Sequence, residues 1–251
     1  LEVDMSSTKH LLDPELRAMA DGPFLQNLND AKIARVREAM GDQVPALADP
    51  QPHGLYRKEI FIAQDDAPNV RCLLYGVDSA PKTSLTAAYL HVHGGGYLFG
   101  SPEGSDPMNL YIARELGITV LSVDYRLAPE NPIPAPLDDC YAALGWLHQN
   151  AADLGVDPQR IGIGGESAGG GLAAALAIKA RDEGEYSICW QALTYPMLDD
   201  RTGSAENPGD PLVGEFVWTR QLNQYGGNSY LGAGGRAGPE GAGGASPPLI
   251  F

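Results

Sequence analysis

The stretch Arg160-Ile161-Gly162-Ile163-Gly164-Gly165-Glu166-Ser167-Ala168-Gly169-Gly170-Gly171 leaves the backbone few options. Arg160–Gly164 reads as a strand and Ala168–Glu183 as a helix, so Gly165-Glu166-Ser167-Ala168-Gly169 must turn sharply between them. Glycines two before and two after Ser167 relieve crowding in a turn that strains the serine. The following helix aims its first amides and the positive end of its dipole at that residue. A serine hydroxyl is a poor nucleophile at neutral pH and needs such a presentation, a base, and donors for the oxyanion. Ser167 is therefore the candidate nucleophile and the Ala168 N–H the first candidate oxyanion donor. The bland alternative is a glycine-rich turn that serves packing alone. A dinucleotide fingerprint is set aside, because Ser167 stands where its third glycine belongs.

A second glycine cluster narrows the choice. His91-Val92-His93-Gly94-Gly95-Gly96-Tyr97 follows the largely apolar segment Leu85–Val92, which reads as a strand buried on both faces. Consecutive glycines let the backbone approach a substrate carbonyl, and Gly94 and Gly95 are the expected further donors to an oxyanion. The order of the remaining elements agrees. Strands are predicted at Tyr56–Ile62, Val70–Tyr75, Thr119–Val123 and Ser187–Tyr195, with helices at Met108–Leu116 and Leu137–Gln149. Alternation of this kind yields an α/β fold with a mostly parallel sheet and helices on both faces. Helical periodicity from Asp13 to Met40 is interrupted at Gly22-Pro23, Asp49–Pro52 reads as a linker, and Phe216–Leu222 is consistent with a late helix.

Composition removes whole classes of function. A formal net charge of -15 argues against nucleic acid and against anionic lipid as partners. No apolar run is long enough for a membrane span, and no signal segment opens the chain. Three widely spaced cysteines, Cys72, Cys140 and Cys189, fit a reducing cytoplasm, packing as small hydrophobes, better than a disulfide framework or a zinc site. No metal or cofactor is expected. The partner is a small molecule, and a homodimer is left open.

Taken together, His93–Gly96, Asp124–Glu130, Pro132–Trp146, Gly165–Gly171, Ile178–Gly184 and Tyr195–Asp200 resemble the bacterial hormone-sensitive-lipase-like esterases of the α/β-hydrolase fold, among them the heroin-esterase-like carboxylesterases. The resemblance implies a carboxylic-ester hydrolase that forms an acyl-enzyme on Ser167. His93, Gly96, Gly165, Glu166 and Gly169 would support that site, and Asp124 and Arg126 would hold a strand-end turn. It further implies a helical cap from residues 5–50 and from the segment after 200, over a core spanning 51–231. Residues 1–4 read as a cloning scar.

One departure stands out. In such hydrolases the order is Ser, then Asp or Glu, then His, yet all five histidines (His10, His53, His91, His93 and His148) precede Ser167. Residues 232–251 read as an aberrant Gly/Ala-rich tail without packing of its own, as a truncation or frameshift would leave, with the last strands, the catalytic Asp and the catalytic His missing. A hydrolase-like ligand-binding protein and a non-functional fragment therefore remain alternatives to an ester hydrolase of short-acyl substrates.

Overall fold

The computed structural model describes residues 7–20, 28–41, 47, 49–50, 54–78 and 84–232. The expected scar, the Gly22-Pro23 break, part of the linker and nearly all of the expected tail lie outside the described residues.

Six strands, β1 (Leu55–Ile62), β2 (Val70–Val77), β3 (Thr86–Val92), β4 (Thr119–Asp124), β5 (Val156–Glu166) and β6 (Trp190–Thr194), form one sheet in the order β1-β2-β4-β3-β5-β6. β4, β3, β5 and β6 run parallel, whereas β1 and β2 are antiparallel additions. Helices α1 (Arg17–Ala20) and α2 (Asp30–Gly41) precede the sheet. Helices α3 (Asp106–Leu116), α4 (Ala135–Gln149), α5 (Ala151–Leu154), α6 (Ala168–Glu183) and α7 (Arg220–Leu231) follow β3 in chain order. α6 starts and stops where the sequence predicts. β5 is longer than expected, because Val156 also pairs with Thr86 across a register shift and Glu166 still pairs with Thr194. β6 is shorter, since its ladder begins only at Trp190 opposite Gly162.

Chain direction explains the layers. The step from β3 to β4 moves one way across the sheet, and the steps from β4 to β5 and on to β6 move the other way. Right-handed crossovers then require α3 on one face and α4 with α6 on the other. Side-chain alternation matches this division. Leu73, Tyr75, Tyr89 and Val120 pack with Ala113 of α3, while Cys72, Leu74, Leu90, Leu121 and Ile163 pack with Leu144, Leu172 and Leu176 of α4 and α6. The reversal sits beside β3, and the crevice beyond the carboxyl ends of β3 and β5 is the place such sheets reserve for a site. Cys72 and Cys140 are buried as expected, but Cys189 is exposed, because it lies just ahead of the edge strand β6.

Residues ahead of the sheet meet residues that follow β6. Ile33 of α2 is fully buried in the main core. Arg37 donates from Nε to Leu98 O at 2.7 Å and pairs through Nη1 with Glu130 at 2.9 Å. Tyr225 Oη of α7 donates to Asp30 at 2.7 Å, and Glu215 accepts from Ser7 Oγ and from the Thr8 N–H, both at 2.6 Å.

The link from β4 to α4 rests on one buried carboxylate. Asp139, 1% exposed, accepts from Arg126 Nη2 at 2.8 Å, from the Arg126 backbone N–H at 2.9 Å and from Gln64 Nε2 at 3.1 Å. Asp124 at the end of β4 accepts from Arg71 Nη1 at 2.9 Å. Removing the guanidinium leaves a buried charge short of its main partner, so Arg126→Ala should lower the stability to urea by about 3 kcal/mol. An unchanged urea midpoint would contradict this account of the turn.

Candidate active site

Ser167 stands between β5 and α6 with φ 56° and ψ -119°, a conformation that L residues reach only under constraint. The constraint is visible. Its N–H donates to Thr194 O at 2.9 Å, and its carbonyl accepts from Met197 N at 3.0 Å and Gly171 N at 3.1 Å. The turn is so tight against β3 that a methyl group on Gly165 or Gly169 would overlap Val92 O. Ala168, fully buried, is the first residue of α6, and its N–H has no intrahelical acceptor. Among the described residues the Ser167 hydroxyl has no hydrogen-bond partner.

The glycine loop after β3 lies against this turn. Gly94 approaches so closely that a methyl there would stand 3.5 Å from Ser167 Cβ and 3.0 Å from Glu166 O. Three consecutive peptide units of the loop are each fixed at one end. The Gly94 N–H donates to Glu166 Oε1 at 2.9 Å. Gly94 O accepts from His93 Nδ1 at 2.8 Å. Gly95 O accepts from Leu98 N at 3.0 Å and Phe99 N at 2.9 Å. A trans peptide sets its N–H opposite its carbonyl. Fixing Gly94 O and Gly95 O therefore turns the N–H groups of Gly95 and Gly96 to the other side, where neither meets an acceptor among the described residues. The expectation for Gly94 needs correction. Its N–H is already committed to a carboxylate, and the unengaged donors of the loop are Gly95 and Gly96. Their φ values of +126° and +63° suit glycine. Sequence spacing could not separate three adjacent glycines.

His93, for which the family resemblance implied a supporting role, is bonded into the loop. It is 2% exposed, stacks on Tyr125 with ring centroids 4.2 Å apart, and accepts at its carbonyl from Tyr125 Oη at 2.9 Å. Since Gly94 O can only accept, Nδ1 carries the ring proton. Burial pushes the His93 pKa down to about 4, against the opposing effect of that hydrogen bond.

His91 was not singled out from sequence for any role. It is 4% exposed on β3, with Nε2 3.1 Å from Glu166 Oε2 and Nδ1 2.9 Å from Ser122 Oγ and 3.3 Å from Asn109 Nδ2. Burial raises the Glu166 pKa, but the His91 bond and charge and the Gly94 N–H outweigh it and hold the carboxyl at about 2. In the ladder His91 stands opposite Ser122 on β4 and Gly164 on β5, so one partner of the ring comes from the neighbouring strand. Trp218 was likewise unassigned. Its indole rests against Gly96 so closely that a methyl there would overlap it, and its Nε1 donates to Asn223 Oδ1 at 3.1 Å.

The other histidines lie elsewhere. His148 Nε2 faces Ser187 O at 2.9 Å, His10 Nδ1 faces Ser7 O at 2.9 Å, and His53 is outside the described residues. Among the described residues no cluster of His, Cys, Asp and Glu could hold a metal ion, and no helix is long and apolar enough to cross a membrane. What the site offers is a strained, unengaged serine hydroxyl beside backbone N–H groups with nothing to bind.

Known proteins carry the same arrangement of elements. A family model described as the alpha/beta hydrolase fold matches residues 89–247, a span that runs into the Gly/Ala-rich segment. Carboxylesterase NlhH of Mycobacterium tuberculosis (strain ATCC 25618 / H37Rv) is 48% identical over 139 residues, 54% of this chain and 44% of that protein. Esterase LipI of the same strain is 34% identical over 210 residues, 82% of this chain and 64% of that protein. The chain thus spans less than two thirds of the length of these curated relatives. The solved structure of a bacterial heroin esterase superposes with a TM-score of 0.77 at 37% identity, covering 95% of this chain and 74% of that one.

Two outcomes test the site's physical basis. Gly169→Ala should cost about 1–3 kcal/mol in thermal unfolding despite the usual helical gain from alanine, because the methyl meets Val92 O and His93 O. The second concerns acid. His93 is held neutral when folded, so the unfolded chain binds more protons between about pH 6.5 and 4. Glu166 extends the same sign from about 4.5 down to 2. The melting temperature should therefore fall as pH drops through both windows, and His93→Gln should flatten the upper one.

Proposed function

The chain belongs to the alpha/beta hydrolase fold family, in its hormone-sensitive-lipase-like branch, and on that footing we propose that it is a carboxylic-ester hydrolase of short-acyl esters with Ser167 as nucleophile. The observation that carries the reading is the free Ser167 hydroxyl beside the unengaged N–H groups of Gly95, Gly96 and Ala168. Ser167 Oγ attacks the ester carbonyl carbon, and the carbonyl electron pair moves onto oxygen. The three N–H groups, fixed before substrate arrives, stabilise that oxyanion. Its collapse expels the alcohol and leaves the acyl group on Ser167, to be removed by water. The described segments 7–20, 28–41 and 201–231 serve as a cap over the crevice, with Trp218 at the oxyanion loop. The charge of -15 and three unpaired cysteines support a cytoplasmic small-molecule enzyme without a nucleic-acid partner.

Proton removal from Ser167 is the step these residues do not supply. His91 is engaged with Glu166, and His93 turns Nδ1 to Gly94 O. We assign the base to an imidazole, with its carboxylate partner, that is not among the described residues. Without it, turnover is expected to fall on the order of 10⁶-fold, while the oxyanion donors retain some acceleration over water. The same vacancy beside the hydroxyl favours a second reading, in which the chain holds an ester without turning it over.

Incubation of the chain with p-nitrophenyl acetate separates these. An ester hydrolase site lacking its base should still collect an acetyl group slowly on the peptide bearing Ser167, because p-nitrophenolate leaves without needing a proton whereas deacylation by water needs the base, and Ser167→Ala should abolish the adduct. Saturable binding with no adduct would favour the second reading. Equal p-nitrophenolate release by the chain and its Ser167→Ala variant, with no acetylated Ser167, would overturn the first.

A further inference from the structure

Glu166 is adjacent to Ser167, yet its carboxylate points away from the nucleophile's chemistry. Oε1 accepts from the Gly94 N–H at 2.9 Å, with Ser105 Oγ at 3.4 Å, and Oε2 faces His91 Nε2 at 3.1 Å. His91 is fixed in turn from two further elements, by Ser122 of β4 and Asn109 of α3. Since the Glu166 carboxylate can only accept, His91 Nε2 carries a ring proton and donates it to Glu166. One carboxylate thus connects the serine turn, the glycine loop and the α3 face of the sheet.

The consequence for the loop follows from its lack of side chains. Gly94, Gly95 and Gly96 have no Cβ atoms to limit their backbone, so their orientation rests on hydrogen bonds. Gly94 O is held by His93 and Gly95 O by Leu98 and Phe99, all within the loop's own segment. Among the described residues, the Gly94 N–H is the one donor of these glycines that is hydrogen-bonded to the turn that carries Ser167. Without that bond the loop would keep its internal shape but lose its register against the nucleophile.

We propose that Glu166, braced by His91, is a positioning residue that sets the Gly95 and Gly96 N–H groups relative to Ser167 Oγ through its hydrogen bond to Gly94. It is not the serine's base, since both oxygens are taken and a carboxyl held near 2 is a weak proton acceptor. The inference rests on Ser167 as the nucleophile proposed above and adds a specific requirement for oxyanion alignment. Misplacement of aligned groups by about 1 Å costs on the order of 100-fold in rate.

The test combines acylation with an observable that needs no chemistry. In the 251-residue chain, the rate of Ser167 acetylation by p-nitrophenyl acetate should fall about 10- to 100-fold in Glu166→Ala, with the half-saturating ester concentration little changed. Glu166→Gln, which keeps an oxygen for Gly94, should recover most of that rate. By NMR, the Gly94 amide should exchange slowly in the wild-type chain and much faster in Glu166→Ala. Should Glu166→Ala fail to fold, Glu166→Gln carries the test, with a smaller slowing and a measurable rise in Gly94 exchange. Acetylation within twofold of wild type in both variants, or unchanged Gly94 exchange, overturns the positioning role while leaving the nucleophile in place. A wild-type chain that never acetylates Ser167 overturns both.

Discussion

Val92 O and His93 O occupy the space where a methyl group on Gly169 would project, so the end of β3 and the first turn of α6 are in backbone contact. That contact brings two sequence-distant loops to one place. Because β3 carries the glycine loop and α6 begins at the serine, their separation decides whether donors and hydroxyl share a substrate atom. Six glycines between Gly162 and Gly171 are the sequence's provision for this closeness. They also explain why so small-sided a helix is stable. Nothing larger fits, and burial of Ala168, Leu172, Ala173 and Leu176 supplies the apolar contact that the glycines cannot.

Polar order at the site is built from the back. His91, Ser122 and Asn109 form a buried group on the α3 face, and Glu166 connects it to the loop that a substrate would meet. Burying such groups is costly unless they satisfy one another, so the network fixes geometry through the penalty for breaking it. His93 contributes differently. Desolvation keeps its ring neutral, which preserves a single donor for Gly94 O and makes the loop insensitive to protonation until well into the acid range.

Much of this could be read before any coordinates. The serine turn, the parallel direction of β3, β4, β5 and β6, and the extent of α6 follow from glycine placement and from the exchange of strand and helix periods. For His93 the family resemblance implied a supporting role, and its contacts with Gly94 and Tyr125 depend on the fold. Other features were not legible. Which two of the three glycines are left to donate depends on which loop groups are already engaged, and their partners (the Glu166 carboxylate, His93 Nδ1 and the N–H groups of Leu98 and Phe99) lie up to 72 residues from the glycine they hold. His91 looked like any strand residue, because its partners come from α3, β4 and the serine turn. The packing of Trp218 on Gly96 joins segments with no shared pattern. β1 and β2 gave no hint of direction, since alternation does not distinguish antiparallel from parallel neighbours.

The bonds from Ser7 and Thr8 to Glu215, and from Tyr225 to Asp30, span 208, 207 and 195 residues. During synthesis at about 5–20 residues per second, the N-terminal segment leaves the ribosome roughly 10–40 s before its partners exist. The sheet up to β6 is complete in that interval, and its crevice is formed but uncovered. Contact between these two segments is thus made only after the sheet up to β6 has been synthesised, so the crevice at the ends of β3 and β5 is formed before the elements that pair Ser7 and Asp30 with Glu215 and Tyr225.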